Sequence, residues 1–227
     1  MSQTTDASSV PHPGTLTVMM QLMKLRVIVL LQITALCAIL VHDSLARHGL
    51  LDVERTWDQT LWVSLITVVG GTLSAGGSNA INMWYDADID PHMRRTMNRP
   101  VPLGHATPQF ALLFGSTIAV LGCSLFLLVS AKAAFWSAFS VLFYVLVYSM
   151  WLKRRTPQNI VIGGLAGSTP PLIGWAATAG DSIASTNVFD LGSPIPWMLF
   201  FLIFLWTPPH FWALALFRNE DYTRANV

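Results

Sequence analysis

Charged residues are scarce in this chain, and their scarcity argues against a soluble domain. Aspartate, glutamate, lysine and arginine make up 11% of the 227 residues, whereas hydrophobic residues make up 53% and the mean hydropathy is +0.52. Soluble domains carry about 25% charged residues. The net charge of +1 gives no information about partners. Nucleic acid is not expected to be one of them.

Cysteine is equally rare. Cys37 and Cys123 are the only two cysteines, and each lies in a separate apolar run without neighbours at metal-ligand spacing. This arrangement argues against a disulfide framework and against a cysteine metal site. Both side chains are expected to be small buried hydrophobes.

In place of charged residues, the chain contains long apolar runs. A bilayer-spanning helix needs about 20 predominantly apolar residues, and six runs meet this length, at 25–42, 60–82, 108–130, 133–152, 158–179 and 195–217. The predicted fold is therefore an all-α, polytopic membrane bundle. Residues 1–22 are predicted to be a disordered cytoplasmic arm, because their first part is polar and lacks the order of a secretory signal. Residues 23–227 would form one transmembrane domain.

The distribution of basic residues predicts the orientation, because cytoplasmic loops are rich in lysine and arginine. With the amino terminus inside, the outer segments hold only Arg47, Arg55 and Lys132. The inner segments hold the other ten basic residues, Lys24, Arg26, Arg94, Arg95, Arg99, Lys153, Arg154, Arg155, Arg218 and Arg224. The amino terminus and the loop that follows the second span are therefore expected to be cytoplasmic.

A polar ladder continues the second span. Residues four apart share one face of a helix, and Ser74, Ser78, Asn82, Asp86 and Asp90 follow this spacing. The helix is expected to continue through the ladder, so that the aspartates emerge at the membrane surface. Two carboxylates and an amide suit Mg²⁺, and Asn82, Asp86 and Asp90 are the predicted catalytic metal ligands. The alternative is a solvated helix end whose acids pair with Arg94 and Arg95.

Basic residues on the same side would attract a phosphorylated substrate. Arginine makes forked hydrogen bonds to phosphate, and the predicted diphosphate-binding residues are Arg95, Arg99, Lys153, Arg154 and Arg155. The alternative for residues 153–155 is ordinary membrane anchoring. Glu220 and Asp221 follow the sixth span on the same side, where they are expected to hold a second metal ion.

Small residues and prolines interrupt several spans. The glycines of the second span, at 70, 71, 76 and 77, predict close helix contact, and Pro170, Pro171, Pro208 and Pro209 predict bent or broken helices. Tight packing alone and a central cavity lined by distorted helices are both consistent with this pattern. His210, inside the sixth span, is interpreted either as a hydrogen-bond donor to a freed carbonyl or as a haem contact.

Three stretches of the sequence resemble the UbiA-type intramembrane prenyltransferases, and within them the protohaem IX farnesyltransferases. They are NMWYDADIDPHMRRTMNRPVP at 82–102, LKRRTPQNIVIGGLAGSTPPLIGW at 152–175 and WTPPHFWALALFRNEDY at 206–222. The resemblance implies a nine-helix membrane fold, of which this chain would hold six helices and lack the carboxyl-terminal part. It places Asn82, Asp86 and Asp90 in the first metal and diphosphate motif and Asp221 in the second.

The same resemblance implies an activity and its partners. A farnesyl group would pass from farnesyl diphosphate to a vinyl group of haem b, with Mg²⁺ as cofactor, in a multi-pass protein of the bacterial cytoplasmic membrane. A homo-oligomer, or association with haem-modifying or oxidase-assembly proteins, is also consistent with the family. The chain has Lys24, Leu25 and Arg26 where the family usually has Lys-Pro-Arg. Two alternatives stay open, a prenyltransferase for an aromatic quinone precursor and a non-enzymatic haem-binding or transport bundle.

Overall fold

The computed structural model describes residues 13–156, 158–179 and 186–217, the last four of these without side chains. This part of the chain contains α-helices and irregular turns and no β-strand. The helices are α1 (Thr15–Met23), α2 (Leu25–Arg47), α3 (Trp57–Tyr85), α4 (Pro108–Leu125), α5 (Ala131–Leu142), α6 (Asn159–Ser168), α7 (Pro170–Ala179) and α8 (Ile195–Phe217). A 3₁₀ turn, Phe126–Leu128, extends α4, and a π-helix, Phe143–Leu152, extends α5.

Six segments are long and apolar enough to cross a membrane, as the sequence predicts. They are α2, α3, α4 with its 3₁₀ turn, α5 with its π-helix, α6 together with α7, and α8. Exposed side chains on these segments are predominantly large and apolar, for example Leu30, Leu113 and Leu202, which suits contact with lipid. The chain is an integral, multi-pass membrane protein.

The first helix corrects the expected disordered arm. Residues 1–12 lie outside the described part, but Thr15–Met23 is helical, and its Val18 and Leu22 are buried. These side chains pack with Ala80 and Met83 of α3. An isolated helix of this length is marginal in water, so burial of its apolar side against α3 is what stabilises it.

Prolines act differently in the two spans that contain them. The fifth span is divided at Thr169, between α6 and α7, immediately before Pro170 and Pro171. Pro208 and Pro209 lie inside α8, which continues through them as one helix. The fixed φ of proline is compatible with helical backbone, although each proline removes an N–H donor. The predicted distortion is therefore found in the fifth span, and α8 is not broken.

A buried polar network joins α2 and α3 at the end of the bundle opposite Asp86. Asp43 is fully buried inside α2, and it accepts hydrogen bonds from Arg55 Nε at 2.9 Å and from the Thr60 hydroxyl. His42 Nδ1 lies 2.9 Å from the same carboxylate. Hydrogen bonds and an opposite charge are what make a buried carboxylate tolerable. This network fixes the far end of the two helices.

Glycines allow α3 and α4 to approach each other closely. A Cβ atom on Gly77 would lie 2.4 Å from the Gly115 carbonyl oxygen, and one on Gly122 would lie 2.4 Å from the Ser74 nitrogen. Gly70 faces Gly122 in the same way. These are backbone contacts that no rotamer change can relieve, so Gly70 and Gly77 mediate the predicted close packing, whereas Gly71 and Gly76 face side chains of Gln32 and Met23.

The two cysteines are free, but neither is fully buried as expected. Cys37 is exposed and Cys123 is partly exposed.

Gly77→Ala is expected to lower the stability of the protein, because the new methyl group would meet the backbone of α4. Overpacking of this kind costs about 1–3 kcal/mol, which a thermal unfolding midpoint in detergent would detect. Gly71→Ala is the matched control, since its methyl group would meet only the movable end of the Gln32 side chain. Equal midpoints for the two variants would contradict the tight α3–α4 contact.

Candidate functional site

The polar ladder begins at the buried end of α3. Asn82 is 3% exposed, and its side-chain amide donates to Asp86 Oδ2 at 2.8 Å. The Asn82 side-chain oxygen, Oδ1, accepts a hydrogen bond from the Ser149 hydroxyl at 2.9 Å. Ser149 lies in the π-helix, so a second span orients the amide. Asn82 therefore directs its nitrogen, and not its oxygen, to the neighbouring carboxylate.

Asp86 caps the carboxyl end of α3 and is fully buried. Its Oδ2 forms an ion pair with the Lys153 ammonium group. Its Oδ1 is buried and has no hydrogen-bond partner among the described residues. A carboxylate oxygen in this situation loses its hydration without compensation, so this atom is the best-placed ligand for a cation.

Asp90 lies beyond the end of α3, which corrects the expectation of one continuous helix. Helix α3 ends at Tyr85, and Asp90 begins a short 3₁₀ turn that contains Pro91. The negative end of a helix dipole disfavours further carboxylates, and a proline disfavours helical backbone at the residue before it. The four-residue spacing nevertheless persists, since the Asp90 amide donates to the Asp86 carbonyl at 2.9 Å.

Both carboxylates are buried rather than exposed at the surface as expected. Asp90 is 1% exposed, and Arg99 Nη1 lies 2.8 and 2.7 Å from its two oxygens. The Thr96 hydroxyl donates to the Asp90 carbonyl at 2.8 Å and holds the turn. Burial raises the pKa of Asp90, and the positive charge of Arg99 opposes this rise. The structure thus pairs Asp90 with Arg99 and not with Arg94.

Asp88 forms an outer, exposed pair. Arg154 binds both of its oxygens, at 2.8 and 2.7 Å, and also donates to the Tyr85 carbonyl at 2.9 Å. The guanidinium lies 4.6 Å from the centre of the Tyr85 ring. These hydrogen bonds lower the pKa of Asp88. We call Asp86, Asp88, Asp90, Arg99, Lys153 and Arg154 the charged cluster.

The π-helix brings the two halves of the charged cluster together. It ends at Leu152, immediately before Lys153, and the Tyr85 hydroxyl donates to the Met150 carbonyl at 3.1 Å. π-helical segments are rare and occur frequently at functional sites. The sequence does not reveal this segment, because its apolar composition suits an ordinary spanning helix equally well.

Several predicted residues are not part of this cluster. Arg95 and Arg155 are exposed. His210 lies on an exposed part of α8 and stacks on Trp206, with 4.3 Å between ring centres. Asp221 lies outside the described residues. A half-open cavity of about 360 Å³ occurs near His42 and Trp175, at the opposite end of the bundle from Asp86, so it is not the predicted central cavity.

Lys24 is a residue near the cluster that the sequence pattern does not identify as functional. It joins α1 to α2, is partly buried, and interacts electrostatically with Arg99, Asp90, Lys153 and Asp86. Burial, followed by the positive charge of Arg99, lowers the pKa of Lys24 to about 7. Its position depends on the packing of α1 against α3. The sequence does not predict this packing, because the residues near the amino terminus are polar.

The donor set fits Mg²⁺ but does not form a complete protein cage. In the described part of the chain, no three histidine, cysteine, aspartate or glutamate residues lie close enough to hold a metal ion. Mg²⁺ is usually bound through one or two carboxylates, with water and substrate phosphate as the other ligands. Asp86, with its unpaired buried oxygen, and Asp90 meet this requirement.

Comparison with known proteins gives close relatives along most of the chain. It is 48% identical over 206 residues to protoheme IX farnesyltransferase of Symbiobacterium thermophilum, which covers 91% of this chain and 62% of that protein. It is 47% identical to the protein of the same name from Parvibaculum lavamentivorans, covering 91% of this chain and 58% of that protein. The chain thus spans about three fifths of the length of these curated relatives.

Two solved structures share the fold. One is a digeranylgeranylglyceryl phosphate synthase, with a TM-score of 0.63 and 19% identity, covering 84% of this chain and 58% of that one. The other is a UbiA homolog from Archaeoglobus fulgidus bound to GPP and Mg²⁺, with a TM-score of 0.61 and 18% identity, covering 92% of this chain and 66% of that one. The model of the UbiA prenyltransferase family matches residues 36–227. With this match and these identities, the chain belongs to the UbiA prenyltransferase family.

Proposed function

We propose that this chain carries the diphosphate site of an enzyme that transfers a farnesyl group from farnesyl diphosphate to a vinyl group of haem b. The product would be haem O, which serves haem-copper oxidases. The observation that carries the proposal is the buried Asp86, with one oxygen paired to Lys153 and the other without a partner. The choice of farnesyl donor and haem acceptor is based on the related proteins from Symbiobacterium thermophilum and Parvibaculum lavamentivorans, which are named protoheme IX farnesyltransferase.

The cations of the charged cluster would have two roles. Without substrate, Lys153 and Arg99 neutralise Asp86 and Asp90, which makes burial of the carboxylates tolerable. When a diphosphate binds, the same side chains can turn part of their hydrogen-bonding capacity to phosphate oxygens, for which arginine is well suited. Arg95, Arg154 and Arg155 would approach the diphosphate from the exposed side of the cluster.

Asp86 and Asp90, oriented by Asn82 and Arg99, are the residues that would hold Mg²⁺. A bound Mg²⁺ supplies positive charge that stabilises the departing diphosphate. Asp221, in the second motif, is proposed to contribute from the opposite side of the site. Ser149 has a positioning role, because its hydrogen bond fixes Asn82.

The transfer needs no nucleophile from the protein. The bond between the allylic carbon and the diphosphate oxygen breaks, the haem vinyl group forms the new carbon–carbon bond, and water adds as a hydroxyl group with release of a proton. The buried part of the site would exclude bulk water from the allylic cation until the vinyl group reacts. Haem contact by His210, and association with another copy or with oxidase-assembly proteins, belong to the same proposal.

The distribution of basic residues supports a cytoplasmic location for the charged cluster. Asn98 lies in the exposed loop beside the cluster, and Asp52 lies in an exposed loop near the opposite end. In a variant without Cys37 and Cys123, Asn98→Cys should react with a membrane-impermeant maleimide only after the cells are permeabilised. Asp52→Cys should react in intact cells. The reverse labelling pattern would contradict the proposed orientation.

Asp86→Asn and Asp90→Asn are each expected to reduce haem O formation by about a hundredfold or more, the scale seen when one preorganised charge-stabilising group is removed. The assay supplies farnesyl diphosphate, haem b and varied Mg²⁺. Asp58→Asn is the matched control, because this exposed carboxylate lies at the opposite end of α3. Near-normal turnover in either cluster variant would refute its role as a metal ligand.

The same preparation can distinguish the acceptors. Haem b and the quinone precursor 4-hydroxybenzoate are offered together, and prenylated products are identified by mass spectrometry. We expect only haem to be modified. Prenylation of 4-hydroxybenzoate alone would replace the proposed function by the quinone alternative, and binding of haem without diphosphate release would favour a non-enzymatic role.

Arg154→Ala is expected to weaken farnesyl diphosphate binding more than haem binding. The substitution removes a charged hydrogen-bond donor, which corresponds to about tenfold or more in affinity. Titration of each ligand separately measures the two dissociation constants. Arg154→Lys keeps the charge but cannot form the two-pronged contact with Asp88. As the control, it separates the effect of the charge from that of the contact. Equal losses for haem and farnesyl diphosphate would indicate a purely structural role.

A further inference from the structure

The joint between α1 and α2 has an unusual backbone for the residue that occupies it. Lys24 has φ 56° and ψ 52°, and it is the only residue other than glycine with positive φ in the described part of the chain. Such left-handed backbone is disfavoured for residues with a Cβ atom, and lysine is not a residue that adopts it readily. Strained backbone of this kind persists only where the surrounding structure enforces it.

Contacts with α3 enforce the joint. The side-chain amide of Asn79 donates to the Met23 carbonyl at 2.9 Å. The Met23 side chain packs on Gly76, where a Cβ atom would lie only 2.7 Å from Met23 Cε. Leu22 is fully buried against the same helix. The residue before Lys24 is therefore fixed to α3 about two turns before Asp86.

This attachment places the Lys24 ammonium group among charges. Asp86 and Asp90 attract it, whereas Arg99 and Lys153 repel it. The two carboxylates are already engaged, Asp86 by Lys153 and Asp90 by Arg99. The backbone of Lys24 is hydrogen-bonded to Gln21 and Val27, but its ammonium group forms no hydrogen bond or ion pair with any residue that the structure describes. When Lys24 is protonated, three cations share two carboxylates, and one positive charge is left without its own anion.

An anionic ligand would satisfy this charge. Lysine carries three hydrogen-bond donors and is a common phosphate ligand that acts as a point charge. The proposed substrate brings a diphosphate to the two carboxylates beside Lys24. From the enforced joint and the uncompensated cation, we propose that Lys24 binds the diphosphate of the prenyl donor directly, as a third cation beside Lys153 and Arg99. This inference rests on the proposed function, since it concerns the same substrate.

The ordinary alternative is that Lys24 anchors the start of α2 at the membrane surface. Arg26, two residues later, is exposed and is a basic residue of that kind. It therefore provides a matched control close to Lys24 in the chain. Lys24→Gly removes the ammonium group and suits the left-handed backbone, Lys24→Gln removes the charge with little change in length, and Lys24→Arg keeps the charge.

The test measures binding of inorganic diphosphate and of farnesyl diphosphate, each with Mg²⁺, to the whole chain in detergent by calorimetry. Lys24→Gly and Lys24→Gln should bind both ligands about tenfold or more weakly, as expected for loss of a charged hydrogen bond. Arg26→Gln should bind like the unaltered protein, and Lys24→Arg should retain most of the affinity. Thermal unfolding of each variant shows whether the fold is kept.

Each other outcome contradicts the inference in a recognisable way. If the unaltered protein binds and folded Lys24→Gly or Lys24→Gln binds equally well, Lys24 is not a diphosphate ligand although the proposed function stands. If Lys24→Arg loses as much affinity as Lys24→Gln, positive charge at this position does not hold the diphosphate, and the inference fails. If the unaltered protein binds neither diphosphate, the proposed function fails together with the inference.

Discussion

The ion pair between Asp86 and Lys153 is the interaction on which the site depends. A carboxylate that is fully buried at the end of a membrane helix must be neutralised, because an isolated buried charge costs far more than a folded protein can tolerate. Lys153 comes from another span, 67 residues further along the chain. The π-helix ends immediately before Lys153 and so brings this cation to the carboxylate. Ser149, in the same π-helix, orients Asn82 toward Asp86.

Two layers of charge result from this arrangement. Asp86 and Asp90 form the buried layer with Lys153 and Arg99, and Asp88 forms the exposed layer with Arg154. Ion pairs in the buried layer are a poor source of stability, since desolvation offsets their attraction. Under the proposed function, these ion pairs prepare the site for a ligand. The groups that neutralise each other without substrate are the groups that a metal ion and a diphosphate would rearrange.

The architecture was predictable from the sequence because the bilayer imposes a length on every apolar run, and the six spans have the expected order. The four-residue ladder also predicted that Asn82, Asp86 and Asp90 lie together, and they do, since local spacing survives even where helix geometry does not. The ion-pair partner of each carboxylate was harder to predict from the sequence. Pairing of Asp86 with Lys153, and of Asp88 with Arg154, depends on how separate spans pack, and neighbouring arginines such as Arg94 are misleading. Lys24 was hidden because α1 is stabilised by burial on α3 and not by its own composition.

The exposed pair of Asp88 and Arg154 makes the outer layer of the charged cluster sensitive to ionic strength. Salt screens exposed charges over about 10 Å at 0.1 M, whereas buried pairs are screened much less. Rising salt therefore weakens the hold of Arg154 on Asp88 and on the end of α3 while Asp86 and Asp90 keep their partners. The exposed layer of charge is therefore weakened by salt before the buried layer, so ionic strength distinguishes two sets of ion pairs that lie side by side.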